Sequence, residues 1–382
     1  MMQAFLDPTE IQSSCSYAEL NVATTQAFLD FAAHVCANPN LLTQATTAHD
    51  CLYEGKGDCD ESVAKAEAVF GDHARTLRGL MVLDSIRRVR QKQAARGVSA
   101  DITRAILEHH PCGTLRDYVA KNGYAGADAW IWHWYRTVGS GDLYQLGRLE
   151  FFIEKFEYYF RVFAHTSTGE VVALLNAGHN FTDEGYMLGQ TTWTSELHED
   201  EEAIIGNPIS PLGYAIHKPV RLPRDEWHQV LGPSDIVLEM HIPGDEPLTL
   251  ESVRVALEKA GPFFDHFYPG LPFKAFVCDS WVFSTQLEDM LSADSNIVRW
   301  QREGYLFPND IGRVDFLNFI FGAPTLDLAT APRDTRLHRA VIAQLEQGTE
   351  LRGGGYLLLR RDLPRFGSQP YRATKQINES LQ

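Results

Sequence analysis

From about residue 24 to residue 134 the apolar positions recur every three or four residues, as in Ala64, Ala68, Leu77, Leu80, Met81, Leu83 and Ile86. That spacing lines them along one face of successive helices, with breaks near 55–60 and 97–99. A further short helix spans 101–110 and is closed by Pro111-Cys112-Gly113. Trp130, Trp132 and Trp134 alternate with Ile131, His133 and Tyr135, a run that fits either a strand or a helix buried on several sides. It reads more simply as a hydrophobic plug than as an aromatic substrate cage. After Val138-Gly139-Ser140-Gly141-Asp142, a break of small residues, the pattern changes.

Two runs rich in β-branched, aromatic and aliphatic residues, 158–165 and 171–175, are joined by Thr166-Ser167-Thr168-Gly169 and predict a hairpin. Residues 196–202 hold five carboxylates in seven positions, which predicts a solvated loop. The stretch 236–281 is the most informative. Its run 236–242 predicts a strand stopped by Pro243-Gly244. Thr249 then suits an N-cap, Glu251 falls in the first turn, and Val253, Leu257 and Ala260 lie along one helical face. The helix is expected to end near Gly261-Pro262, and 273–281 to form a second strand. A strand, a crossover helix and a strand in this order make a parallel pair with a right-handed connection. Beyond it, 296–303 and 337–347 read as helices, and Gly353-Gly354-Gly355 leads into a strand at 356–359. The predicted class is α+β: a helical N-terminal domain over 1–140, then a mixed β-sheet domain flanked by helices over 141–382.

Length agrees with two domains, since 382 residues exceed one comfortable core. No stretch approaches the roughly 18 uncharged apolar residues of a membrane span, and residues 1–12 lack a basic segment followed by an apolar run. A cytoplasmic location with no membrane partner is expected. Cys15, Cys36, Cys51, Cys59, Cys112 and Cys278 show neither Cys-x-x-Cys nor the His spacing that zinc demands. They are read as free thiols, and no metal site is expected. Charge adds more. Residues 1–140 hold 13 Lys+Arg against 16 Asp+Glu, leaving 21 against 34 in 141–382. Such an acidic field repels phosphate backbones, which argues against a nucleic-acid partner; it favours a cationic or amine-bearing small molecule, although a solubilising surface charge is the commoner reason for such an excess.

Alternation along 236–242 puts Val237, Glu239 and His241 on one face, and along 273–281 it aligns Ala275, Val277, Asp279 and Trp281. Glu239, His241 and Asp279 are thus expected to converge at the carboxyl ends of two strands, where open α/β sheets bind ligands. They are the candidate catalytic residues, with Glu239 also suited to fix the His241 tautomer. Cys278 falls on the opposite face. The turn from His241 to a helix N-terminus is a candidate anion site, although Asp245 and Glu246 would repel a phosphate. The chain has no Gly-x-Gly-x-x-Gly, no Gly-x-x-x-x-Gly-Lys and no His-Glu-x-x-His, and Ser280 lacks the flanking glycines of a nucleophile elbow.

A set of motifs in order carries a family resemblance: Tyr144-Gln145-Leu146-Gly147-Arg148-Leu149-Glu150-Phe151, Met240-His241-Ile242-Pro243, Phe276-Val277-Cys278-Asp279-Ser280-Trp281, Ser295-Asn296-Ile297-Val298-Arg299, Ala331-Pro332-Arg333-Asp334-Thr335, Leu351-Arg352-Gly353-Gly354-Gly355 and Phe366-Gly367 with Pro370-Tyr371-Arg372. Over nearly its whole length the chain resembles bacterial GNAT-like acyltransferase-domain proteins, built from a helical N-acyltransferase N-terminal domain and a GNAT-like C-terminal domain. The resemblance implies acyl transfer from a thioester to a small amine. It also implies that acyl-CoA serves as co-substrate and that no cofactor is held covalently. The pantetheine would lie between two splayed parallel strands, here 236–242 and 273–281. On this basis Ile242, Gly244, Thr249, Ser252 and Arg299 are the expected coenzyme A contacts. The chain departs from the broader GNAT pattern in lacking the Arg/Gln-x-x-Gly-x-Gly/Ala loop within 241–252, where Gly244 alone remains. Pro243 also removes one N–H.

Transfer needs a base, an oxyanion donor and an acid for the leaving thiolate. His241 or Asp279 is the expected base and a backbone N–H near Ile242 the oxyanion donor; the acid is unassigned. Arg148, Arg299, Arg333 and Arg372 suit phosphate or carboxylate ligands, or pairing with nearby acidic side chains. Two alternatives stay open. A non-catalytic ligand-binding or regulatory protein fits the missing phosphate loop, and a thioester hydrolase would use Ser280 or Cys278.

Overall fold

A computed structural model describes residues 3–244 and 247–372, in an α+β architecture whose chain divides into two compact units, Met1–Gln145 and Leu146–Gln382. In the first unit, helices begin where a short polar side chain takes up first-turn amides. Asp7 caps Pro8–Tyr17, Asn21 caps Val22–Ala37, Asn38 caps Pro39–Glu54 and Asp58 caps Cys59–Phe70. Ala74–Arg96 is the central helix and buries Leu77, Leu80, Met81, Ile86 and Val89. Among the described residues, no helix is long and apolar enough to cross a membrane.

One sequence expectation is corrected in this unit, and one left open between strand and helix is resolved. Pro111 does not close a helix: the turn widens to a π-helix over Glu108–Cys112 and the chain runs on into Gly113–Asn122. The wider turn accommodates a residue with no N–H to offer the standard ladder. The tryptophan run is helical, Ile131–Ser140, burying Ile131, Trp132, Tyr135 and Val138. Six residues were too few to separate a period of two from one of 3.6.

The second unit is organised on a sheet whose strands lie in the order Tyr144–Leu146, Leu149–Lys155, Ile236–His241, Ala275–Ser280, Gly354–Leu359 and Tyr305–Phe307. Ile236–His241 and Ala275–Ser280 run parallel, each flanked by an antiparallel neighbour. The helix between them is Leu250–Phe267, opened by a Thr249–Ser252 capping box. It does not end at Pro262. Phe263 and Phe264 beyond it are buried, and Phe264 packs on Tyr268 and Phe273, so apolar burial outweighs the one lost backbone hydrogen bond.

A second, five-stranded antiparallel sheet contains the expected hairpin, with Phe160 opposite Leu175 and Ala164 opposite Val171. Its core joins Phe163, Val172, Leu174, Ile204, Ile216, Leu222 and Trp227. The acidic stretch is not all loop, because Leu197–Glu199 pairs with Ala203–Gly206. There Glu199 meets Arg161 at 2.7 Å and Arg224 at 2.9 Å. Those two guanidinium groups, distant in sequence, offset the local repulsion that suggested a loop.

Candidate functional site

The register of the main sheet fixes which polar groups meet. Glu239 stands opposite Phe152 on one side and Val277 on the other, and His241 stands opposite Glu150. Asp279, two residues past Val277, is opposite Gly355. Side chains two apart on a strand share a face, so Glu239, His241 and Asp279 all project from the same face. Parallel pairing stops at Glu239 and Val277, although the strands continue to His241 and Ser280. The two strands therefore part just where the polar groups begin.

His241 is held by a residue that the sequence reading did not single out. Its Nδ1 lies 2.6 Å from Glu150 Oε2, with the Glu150 side chain fully buried and that of His241 37% exposed. Glu239 was expected to take this role. Residues i and i+2 of one strand stand nearly 7 Å apart, whereas a cross-strand partner is about 5 Å away, so the partner reaches the imidazole first.

Glu239 belongs instead to a second cluster. Tyr158 Oη donates to Asp279 Oδ2 at 2.9 Å and lies 3.3 Å from Glu239 Oε2. Asn309 Nδ2 donates to Asp279 Oδ1 at 3.0 Å, and the Asp279 backbone N–H is hydrogen-bonded to the Glu239 carboxyl. Tyr158 is carried by the segment that leaves the main sheet for the five-stranded one. Phe156 anchors that segment, its N–H bonding the Asp235 carbonyl at 2.8 Å and its carbonyl accepting from Ser234 N–H at 3.1 Å. The Tyr158 ring packs against Phe156, Phe307 and Phe160, with centroids 5.0, 5.2 and 5.8 Å away. Phe307 in turn lies over Gly355, where a Cβ would come within 1.9 Å of its ring.

Burial drives the Glu239 carboxyl well above its usual pKa, and the charge of Asp279 pushes the same way; the bonds from Tyr158 and the Asp279 amide offset this only in part. Asp279 is also raised, first by the protein packed around it and then by Asp310, against the bonds from Asn309 and Tyr158. Solvent nevertheless reaches Asp279. The Tyr158 phenol is held far up by burial and by both carboxylates.

Cys278 is only 3% exposed, and burial pushes its thiol well up. Its alternation with Asp279 puts it on the opposite face of the sheet, so it is no nucleophile for the face that carries Glu239, His241 and Asp279. Ser280 Oγ is occupied in capping, accepting from Val282 N–H at 3.2 Å.

Of the expected coenzyme contacts, half-buried Ile242 and exposed Gly244 lie in the turn after His241. Thr249 and Ser252 satisfy each other in the capping box: Ser252 N–H donates to Thr249 Oγ1 at 3.0 Å and Thr249 N–H to Ser252 Oγ at 3.1 Å. Arg299 is exposed on the separate helix Asn296–Gln301. Asp245 and Glu246 lie outside the described residues. Arg148 Nη2 donates to the Pro243 carbonyl at 2.6 Å and so fixes the turn after His241. Arg333 pairs with Glu346 at 2.8 Å and Arg372 with Glu288 at 3.3 Å. The C-terminal motif is likewise structural: Tyr371 Oη accepts from Leu359 N–H at 3.0 Å and donates to Asp362 Oδ2 at 2.9 Å.

Sequence reasoning passed over Glu150, Tyr158 and Asn309. A lone carboxylate between Leu149 and Phe151 was a usable signal for Glu150; Tyr158 and Asn309 reach the site through non-local packing and gave none.

Residues 143–357, more than half of the chain, match the family model described as the GNAT-like C-terminal domain. The chain belongs to this family. Among solved structures, this GNAT-like protein is similar to an acyltransferase mutant in complex with octanoyl-CoA, at 19% identity and TM-score 0.58, covering 92% of this chain and 88% of the other. It is also similar to an acyltransferase in complex with decanoyl-CoA and teicoplanin, at 19% identity and TM-score 0.57, covering 91% and 87%. A third, an acyltransferase in complex with decanoyl-CoA, shares 17% identity at TM-score 0.51 and covers 91% and 98%. At these identities the likeness is one of fold. No curated protein matches the GNAT-like chain.

Proposed function

We propose that this protein transfers an acyl group from an acyl-CoA thioester to an amine acceptor, as a cytoplasmic enzyme in which 1–140 and 141–382 act as domains. One observation carries the reading. The parallel pair stops at Glu239 and Val277, and the opening strands present His241, Glu239 and Asp279 on one face. The pantetheine arm occupies the opening between them. The acyl-CoA ligands of the similar structures support the donor class.

Ile242, Gly244, Thr249, Ser252 and Arg299 remain the proposed contacts. The Thr249 and Ser252 N–H groups and hydroxyls are engaged with each other in the capping box, so the pyrophosphate is met by the other backbone N–H groups of the turn and the first helical turn, with Arg299 as the cation. His241, oriented through Nδ1 by Glu150, takes a proton from the incoming ammonium. A backbone N–H near Ile242 receives the developing oxyanion.

The test pairs binding with turnover. Octanoyl-CoA raises the melting temperature by mass action, and thiol release occurs only when a primary amine is present. His241→Ala lowers amine-dependent release about 100-fold while the octanoyl-CoA thermal shift persists. Binding without release for any amine in a broad panel would make the protein a binding module. Release without amine would make it a hydrolase.

A further inference from the structure

We infer that Arg352, resting on the Tyr186 ring, binds a carboxylate carried by the acceptor, which makes the acceptor an amino acid or a peptide-like amine. The inference rests on the acyl-transfer reading above and names the acceptor class that reading leaves open. Arg352 is half-buried, yet among the described residues its side chain has neither an ion pair nor a hydrogen bond, and its Nε is sealed from solvent with no partner. Arg161, Arg302, Arg360 and Arg372 are half-buried too, and each meets a carboxylate, of Glu199, Glu288, Asp265 and Glu288 respectively. A guanidinium withdrawn from water without a counter-ion is costly, although carboxylates are plentiful in 141–382. Glu350, two residues earlier, turns its own carboxylate to Gly189, where a Cβ would lie 3.5 Å from Oε2.

The unpaired cation is held in place from two sides. Arg352 N–H donates to Gln286 Oε1 at 3.0 Å, and Gln286 Nε2 donates to the Glu350 carbonyl at 2.9 Å, which fixes the backbone. The guanidinium carbon lies 4.6 Å from the centre of the Tyr186 ring, a cation–π contact that offsets part of the desolvation. Tyr186 is fixed in turn. Thr182 N–H donates to its carbonyl at 2.8 Å, its own N–H donates to Thr182 Oγ1 at 3.2 Å, and its hydroxyl lies 3.2 Å from Thr285 Oγ1. Nε is the nitrogen sealed off, so Nη1 and Nη2 are what solvent or a ligand reaches. Together they form a planar end-on fork that matches the two oxygens of a carboxylate.

Arg352 also stands away from the place assigned to the donor's phosphates, which is the turn and helix after Ile236–His241. It leads instead into Gly354, which pairs with Ser280 at the end of the other parallel strand. Gly353 lies between, so close to Asn309 that a Cβ would stand 3.1 Å from its Oδ1, and Asn309 Nδ2 holds Asp279. The backbone that carries the fork is thus one residue from the amide that holds Asp279. The ammonium of such an acceptor answers to the acidic surface of 141–382, and its carboxylate answers to Arg352.

Leucine and lysine, the second of which keeps a net positive charge, are each compared with their carboxamides as acceptors of the octanoyl group from octanoyl-CoA. The acid-to-amide ratio of kcat/KM is expected to fall about 10- to 100-fold from wild type to Arg352→Gln, with Arg352→Lys between them and the Kd for octanoyl-CoA unchanged. Each ratio is taken within one protein, so folded fraction cancels, and the differing acidity of the two amines cancels between proteins. An unchanged ratio in both pairs overturns the carboxylate site. If octanoyl-CoA binding weakens while the ratios hold, Arg352 serves a donor phosphate and the acceptor assignment falls.

Calorimetry with N-octanoyl-leucine and N-octanoyl-leucinamide, the corresponding products, needs no turnover. Tighter binding of the acid by wild type, lost in Arg352→Gln, is expected. That preference without acylation of any amine overturns the acyl-transfer reading and leaves a carboxylate site. Acylation of amines with no such preference in either assay overturns the site and leaves that reading standing.

Discussion

Glu239 ionises in the folded protein against burial and against the charge of Asp279, and that has a measurable sign. Below the ordinary carboxyl value of 4.5 folded and unfolded chains both hold the proton. As the pH rises, the unfolded chain releases it first, so the folded state binds more protons and stability falls until the raised folded pKa is passed. Glu239→Gln removes this dependence and keeps the hydrogen-bonding shape. Its melting temperature is expected to match wild type in acid and to exceed it by a growing margin towards neutral pH. Thermal melts of the two proteins across that range check it; parallel curves would show that Glu239 holds no raised pKa. At this scale sequence alternation put Glu239 and His241 on one face of their strand, because the strand period is a local property, while it took the register to place Asp279 on that same face. It missed that His241 pairs with Glu150 and Glu239 with Tyr158, because those contacts depend on register between segments some 80 to 90 residues apart in sequence, 81 for Tyr158 and 91 for Glu150.

Among the elements, Gly353-Gly354-Gly355 shows why small residues were needed before the strand Gly354–Leu359. A Cβ on Gly353 would stand 2.6 Å from the Ile311 side chain, one on Gly354 2.2 Å from the Phe283 carbonyl oxygen, and one on Gly355 1.9 Å from the Phe307 ring. The three glycines serve close packing. The Phe283 oxygen is backbone and cannot swing aside, so Gly354→Ala is expected to cost about 3 kcal/mol, read as a lower melting temperature. An unshifted melt would mean that the neighbouring turn Trp281–Phe283 yields freely. The strand–helix–strand unit was legible because Thr249, Pro243-Gly244 and two apolar runs each act locally. The ends of its helix were less so: Pro262 is passed because Phe263 and Phe264 find the sheet, which no propensity encodes. Pro111 is passed by a local widening of the helix that apolar spacing does not reveal.

For the molecule as a whole, the change from three-to-four-residue spacing to strands made the α+β class readable, while the order of strands was not, since nothing local says that Gly354–Leu359 lies between Ala275–Ser280 and Tyr305–Phe307. The charge imbalance was readable too, with 21 Lys+Arg against 34 Asp+Glu in 141–382. On the proposed chemistry, that field should raise the local concentration of a cationic acceptor. The kcat/KM for such an amine is expected to fall as salt is added, through KM, while the KM for the thioester does not rise in step; an acceptor KM indifferent to salt would count against a cationic acceptor. The strand order has a consequence for biosynthesis. A chain emerging from the ribosome can pair Leu149–Lys155, Ile236–His241 and Ala275–Ser280 early, but Tyr305–Phe307 has no neighbour in the main sheet until the later strand arrives to fill the gap. The sheet around Asp279 is therefore completed only after some 80 further residues beyond that aspartate have been translated, from 279 to 359, and until then the nascent sheet exposes an open edge for chaperones, or for aggregation, to meet.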